Sequence, residues 1–152
     1  METLFKISSL IVIPFWALMI FLPRWRVTKW LMETPLACIA PAALYAALVL
    51  PRLAEIWPAV SNPEMSGIAT LLSSPVGATI AWLHFLAFDL FVGRWIYLDG
   101  RDRGINRWVM APALFLTLMV GPCGFLLYLM ARYARGYQRR SEDVIPVTTG
   151  SK

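Results

Sequence analysis

The sequence predicts an all-α integral membrane protein, a four-helix bundle, on three observations. Of its 152 residues, 59% are hydrophobic and 15% charged, against about 45–50% and about 25% in soluble domains. Too few polar side chains remain to cover a globule in water, so the surrounding medium is lipid. Second, four runs poor in charge reach the roughly 17–25 residues that a helix needs to cross about 30 Å of hydrocarbon at about 1.5 Å per residue. Third, basic and aromatic residues flank these runs, as in PRWRVTKW from Pro23 to Trp30, the composition of a headgroup interface.

The first helix is expected near residues 4–22, where Ile7 to Leu22 reads ISSLIVIPFWALMIFL. Lys6 and this apolar stretch resemble a secretory signal, but no small-residue cleavage site follows, so it reads as a retained anchor. The second helix is expected near 31–50; its Pro35 and Pro41 are tolerable in a membrane, where neighbours re-satisfy freed carbonyls. The loop after it is punctuated by Pro51, Pro58, Pro63 and Gly67, and the apolar piece Gly67 to Ser74, too short to span, is expected in the interface rather than re-entrant. The third and fourth helices are expected near 75–98 and 108–133, completing a transmembrane domain over 1–135. Beyond it, Arg132, Arg135 and Arg139 share one face of a helix emerging into headgroups, and 136–152 reads as a polar, disordered tail.

Four spans put both termini on one side. Lys6, Arg52, Arg132, Arg135, Arg139, Arg140 and Lys152 then face Arg24, Arg26, Lys29, Arg101, Arg103 and Arg107 across the bilayer, seven against six; the positive-inside rule does not choose on this count, and the tail cluster leans toward both termini in the cytoplasm. No transit peptide is recognisable, so a bacterial inner membrane or a thylakoid is the expected location. The net charge of +5 sits in short loops beside the spans, which serves topology and anionic lipid rather than nucleic acid. Cys38 and Cys123 fall inside spans and read as small apolar residues. There is no CxxC, GxGxxG or P-loop, and one histidine excludes multi-histidine metal and haem sites. No metal and no cofactor is expected; the expected partners are membrane lipids, with a homo-oligomer or a larger membrane complex left open.

The exceptional stretch is HFLAFDLFVGRWIYLDGR, which places His84, Asp89, Arg94 and Asp99 five residues apart in an apolar helix. Each Asp or Arg near mid-membrane costs about 2.5–3.5 kcal/mol, while each Leu, Ile, Phe or Val returns about 0.3–0.6. The helix therefore needs partners. With the midplane near residues 86–87, Asp89 lies about 4 Å from it; Arg94 can snorkel and Asp99 reaches the headgroups. Five-residue steps rotate about 140°, so the four groups do not share a face. Either the other helices enclose this one, or a π-bulge aligns the set. Intramembrane ionisable residues are functional candidates by default, which nominates His84, Asp89, Arg94 and Asp99 as catalytic. The competing reading is that Asp and Arg only lock helices together and His84 only bonds a backbone carbonyl.

Trp82 to Arg101, together with MVGPCGFLLYLMAR from Met119 to Arg132, resembles the family of small membrane proteins that includes the plant neoxanthin-synthase (abscisic-acid-deficiency) proteins and their bacterial relatives. The resemblance covers about residues 4–135, and its specific part is His84, Asp89, Arg94, Asp99 and Gly100, supported by Gly121 to Gly124. It implies a carotenoid partner and either a redox-neutral isomerisation of an epoxide end ring to an allenic alcohol, in which an acid helps open the epoxide and a base removes a vinylic proton, or assistance to that step. His84 and Asp89 are an available acid/base couple. Seven Trp, five Tyr and eight Phe can line a groove for a polyene, although interfaces and helix packing explain most of them. The alternatives are a structural or assembly protein without chemistry and, least favoured, a proton-coupled transporter using Asp and His as a relay.

Overall fold

The computed structural model describes residues 1–144, with side chains described to residue 135. All of its regular structure is helical, and three helical stretches are long and apolar enough to cross a membrane: Glu2–Phe21, Leu36–Ser61 and Pro75–Asp102. Helix α1 (Glu2–Phe21) stops before Pro23, and the Thr28 hydroxyl donates to the Leu22 carbonyl at 2.9 Å, satisfying an acceptor that the helix end leaves free. A short amphipathic helix, α2 (Arg26–Glu33), follows, with Trp25 and Trp30 exposed; it occupies the flank expected at the interface. Helix α3 (Leu36–Val49) begins after Pro35, later than expected. It continues through a tight turn at Leu50–Arg52 into α4 (Leu53–Ser61), so helix replaces much of the expected irregular loop. Helix α5 (Met65–Ser73) then leads to α6 (Pro75–Asp102). The start of α6 is dictated locally: the Ser74 hydroxyl accepts from the Gly77 N–H at 2.9 Å, and Pro75 occupies the first turn, where no N–H is needed.

Helix α6 is the axis of the molecule. Phe5 stacks on Trp82 at 5.2 Å, a Cβ on Gly93 would collide with the Trp16 ring, and the Tyr97 hydroxyl donates to the Pro23 carbonyl at 2.7 Å, so α1 runs parallel to α6. Tyr45 lies 5.3 Å from His84, and Glu33 receives Arg94, so α3 runs antiparallel to it. The core between these helices contains Val12, Trp16, Met19, Leu86, Leu90, Ile96 and Tyr97. The outward residues remain apolar, as with Leu10 (65% exposed) and Phe21 (77%). In lipid such residues carry no penalty, and packing and hydrogen bonds rather than hydrophobic burial hold the helices together.

The expected fourth span is corrected. Residues 108–133 are not one helix: α7 (Arg107–Val120) and α8 (Pro122–Val144) pack side by side as a hairpin. At its base, a Cβ on Gly100 would meet Met110 of α7 and Tyr128 of α8; at its tip, Gly121 abuts Asp89. Thus α7 climbs along α6 from Gly100 to Asp89, and α8 descends to the level it came from. Fourteen residues rise only about 21 Å, too little to cross. The reversal is forced by Gly121, at φ 43° and ψ −99°, a conformation open only to glycine, followed by Pro122, which opens a new helix. Gly124 then allows the two helices to touch, since a Cβ there would run into the backbone N and hydroxyl of Thr117. Helix α8 continues past the expected domain boundary at 135, while residues 145–152 of the expected tail lie outside the described residues.

The hairpin changes the topology as well. Arg24, Arg26, Lys29, Arg101, Arg103, Arg107, Arg132 and Arg135 all gather at the end where α6 finishes, and only Lys6 and Arg52 lie at the other, among the described residues. The expectation that both ends of the chain share a side is therefore overturned for the described part of α8. Among the described residues the basic side chains at the two ends thus divide eight to two in favour of the α6 C-terminal end, an asymmetry the linear count of seven against six did not show.

In a chain with Cys38 and Cys123 replaced by Ala, single cysteines at 26, 103 and 133 should label from one side of the membrane and one at 6 from the other. Labelling of 133 together with 6 would contradict the hairpin. Gly121→Ala should cost about 1–2 kcal/mol from its positive φ alone, and Gly124→Ala should destabilise the hairpin through its collision with Thr117. Gly67→Ala, whose Cβ meets nothing within 4 Å, should be neutral or stabilising by up to about 1 kcal/mol. Unfolding of the detergent-solubilised variants in SDS titration checks all three.

Candidate functional site

Because α6 is regular α-helix throughout, with no π-bulge to align its charges, each five-residue step sends the next group toward a different neighbour. His84 turns to α3 and its own aromatic flank, with ring centroids 5.3 Å from Tyr45, 4.7 Å from Phe88 and 6.2 Å from Phe85. Asp89 turns to the hairpin tip, where a Cβ on Gly121 would stand 2.9 Å from its Oδ1. Arg94 turns to α2 and donates from Nη2 to the Glu33 carbonyl at 3.1 Å, a cation on a helix C-terminus. Asp99 turns to α8. The pairs considered from spacing, His84 with Asp89 and Asp89 with Arg94, are not formed.

Asp99 is the best satisfied group of the four. Arg103 Nε donates to its two oxygens at 3.0 and 2.9 Å, the Tyr128 hydroxyl donates at 2.5 Å, and Arg132 Nε donates at 2.9 Å. Arg132 also lies over the Trp95 ring at 5.7 Å, and Trp95 meets Phe125 and Tyr128 edge-on. A carboxylate so engaged fixes helices and has little freedom to exchange a proton. Close by, Arg101 Nη1 holds Glu33 Oε1 at 2.7 Å, tying α2 to α6.

Asp89 is the opposite case. It is half-buried and takes part in no hydrogen bond or ion pair among the described residues. The hairpin stops at its level, so the half of α6 leading up to it lacks that partner, and Phe85 and Phe88 stand 59% and 60% exposed there. Met119 and Val120 are exposed at the tip as well, so Asp89 sits beside exposed apolar side chains of both α6 and the hairpin. Among the described residues, the buried side-chain polar atoms without partners are Trp16 Nε1 and Arg94 Nε. No group of three or more His, Cys, Asp or Glu that could hold a metal occurs among the described residues.

Sequence reasoning missed Tyr128, Arg132, Arg103 and Glu33 as partners, and the hairpin that presents Gly121 to Asp89. One signal was present: Gly121-Pro122 in mid-span, a local instruction to end one helix and begin another.

The family model described as ABA DEFICIENT 4-like matches residues 3–128, which takes in all of α6 and reaches Tyr128. A curated relative, the chloroplastic protein ABA DEFICIENT 4 of Arabidopsis thaliana, is 29% identical over 137 residues, covering 86% of this chain and 61% of the relative. The chain thus spans less than two thirds of that relative's length. No solved structure matches.

The Asp99 cluster should behave as a structural anchor. Tyr128→Phe removes one charge-assisted bond and should cost about 1.5–3 kcal/mol. Asp99→Asn should cost more, because it leaves Arg103 and Arg132 without their carboxylate. Arg103→Gln should cost least, since its side chain is 43% exposed and screened. The order is read from unfolding midpoints in detergent; equal stability of Asp99→Asn and the parent would remove the anchor.

Proposed function

The chain belongs to the ABA DEFICIENT 4-like family, and we propose that it isomerises an epoxide end ring of a membrane-dissolved carotenoid, with Asp89 as the group that moves the proton. The observation carrying this reading is the unengaged Asp89 carboxyl beside the glycine of the hairpin tip, with Phe85 and Phe88 exposed on the same stretch of α6. A long polyene dissolves in the same hydrocarbon as Phe85 and Phe88 and can slide laterally over them, bringing one polar end ring to the hairpin tip.

The chemistry is redox-neutral. Protonated Asp89 gives its proton to the epoxide oxygen as the ring C–O bond breaks. Its other oxygen takes the proton from the adjacent vinylic carbon, whose C–H electrons form the second double bond of the allene. The carboxyl group ends as it began, so one residue serves as acid and base without an oxidant or a second substrate. His84, in ring contact with Phe88, positions the polyene, while Arg94 and Asp99 hold α6 against α2 and α8. The Asp99 cluster also favours a second reading, in which the charges of α6 serve assembly alone.

Expression in a host that accumulates the epoxide substrate, with pigments resolved by chromatography, separates the two. Asp89→Asn should lower conversion by at least about 10²-fold, the usual scale for loss of a general acid or base, with membrane levels unchanged. His84→Gln should reduce conversion less. Full conversion by Asp89→Asn would leave the assembly reading.

A further inference from the structure

At the basic end of the bundle, four elements line an open cavity of about 410 Å³. Arg24 comes from the turn after α1, Arg101 from the end of α6, Arg107 from the first turn of α7, and Arg135 from α8; no carboxylate lines it. Among the described residues, only Arg101 of the four is neutralised, by Glu33 and Asp102. Arg107 stacks on Trp108 at 4.9 Å, and Arg24 and Arg135 have no acidic partner among the described residues. The Tyr97 hydroxyl in the wall is already committed to the Pro23 carbonyl, which fixes the turn that presents Arg24. The N-terminus of α7 adds the positive end of a helix dipole, with Asn106 capping it. Cations brought together this way repel unless an anion joins them, and arginine forks match the oxygens of a phosphate. The volume falls in the range of small-molecule sites, about 300–1,000 Å³, which leaves room for a phosphate and the group attached to it.

The geometry points to a phosphate-ester binding site formed by Arg24, Arg101, Arg107 and Arg135, with Arg101 12 residues along α6 from Asp89 and the site separate from it. The phosphate is that of an anionic lipid headgroup, at whose depth the cavity lies, or of a soluble phosphorylated molecule reaching it from the basic side.

The full chain in neutral detergent is titrated with phosphatidylglycerol, with uncharged diacylglycerol and with inorganic diphosphate, reading the thermal unfolding midpoint. A rise with phosphatidylglycerol alone identifies the lipid source, and a rise with diphosphate the soluble one. Diacylglycerol should have no effect. In either case Arg24→Gln with Arg135→Gln should weaken binding at least tenfold, and Arg26→Gln with Lys29→Gln, at the same end but outside the cavity, less than twofold. If the first pair impairs folding, Arg107→Gln takes its place. No rise with either phosphate compound, or equal loss in both pairs of variants, overturns the site.

Discussion

The carboxylate of Asp99 receives side chains from three places at once, Arg103 just beyond α6 and Tyr128 and Arg132 on α8. Charge-assisted bonds of this kind are about twice as strong as neutral ones, and here they set how far α8 slides along α6. With that register fixed and the chain reversed at Gly121, the hairpin tip can only come to rest beside Asp89. The exit of α8 at the basic end and the cavity between Arg24 and Arg135 both follow from this placement. A straight fourth span would have carried Tyr128 and Arg132 away from Asp99.

Regular geometry along α6 divides its four ionisable groups among different tasks. A π-bulge would have gathered them; the unbroken helix disperses them, at about 140° per step, to α3, the hairpin tip, α2 and α8. Two of them, Arg94 and Asp99, take on helix-to-helix contacts, to the Glu33 carbonyl and to Tyr128 and Arg132. His84 settles among aromatic rings. Asp89 alone remains unengaged, and it is the one whose neighbour, Gly121, has no side chain to offer.

The packing follows the rules of a lipid solvent. Gly93 lets the Trp16 ring lie directly against the α6 backbone, the close approach through which small residues bring membrane helices together. Hydroxyl groups are spent on backbone carbonyls nearby, Ser8 on Phe5, Thr79 on Pro75 and Thr117 on Ala113, so no polar hydrogen faces hydrocarbon unpaired at those points.

What the sequence determined by itself was local or compositional. The helical class follows from too few polar residues to face water, and the start of α6 follows from Ser74 and Pro75, whose capping needs no distant partner. The family was legible in Trp82 to Arg101, and the five-residue spacing already said that no single face could hold His84, Asp89, Arg94 and Asp99. The path of residues 107–144 was not legible, because a 26-residue apolar run has the same hydropathy whether it crosses or folds back. Gly121-Pro122 permits either a kink or a reversal, and the choice was made by partners 29 and 33 residues from Asp99 in the chain. The same reversal decided the charge asymmetry, since it moved Arg132 and Arg135 to the end that holds Arg24, Arg101 and Arg107. Composition sets the solvent a chain requires, but which residues meet inside it depends on long-range contacts that no local pattern encodes.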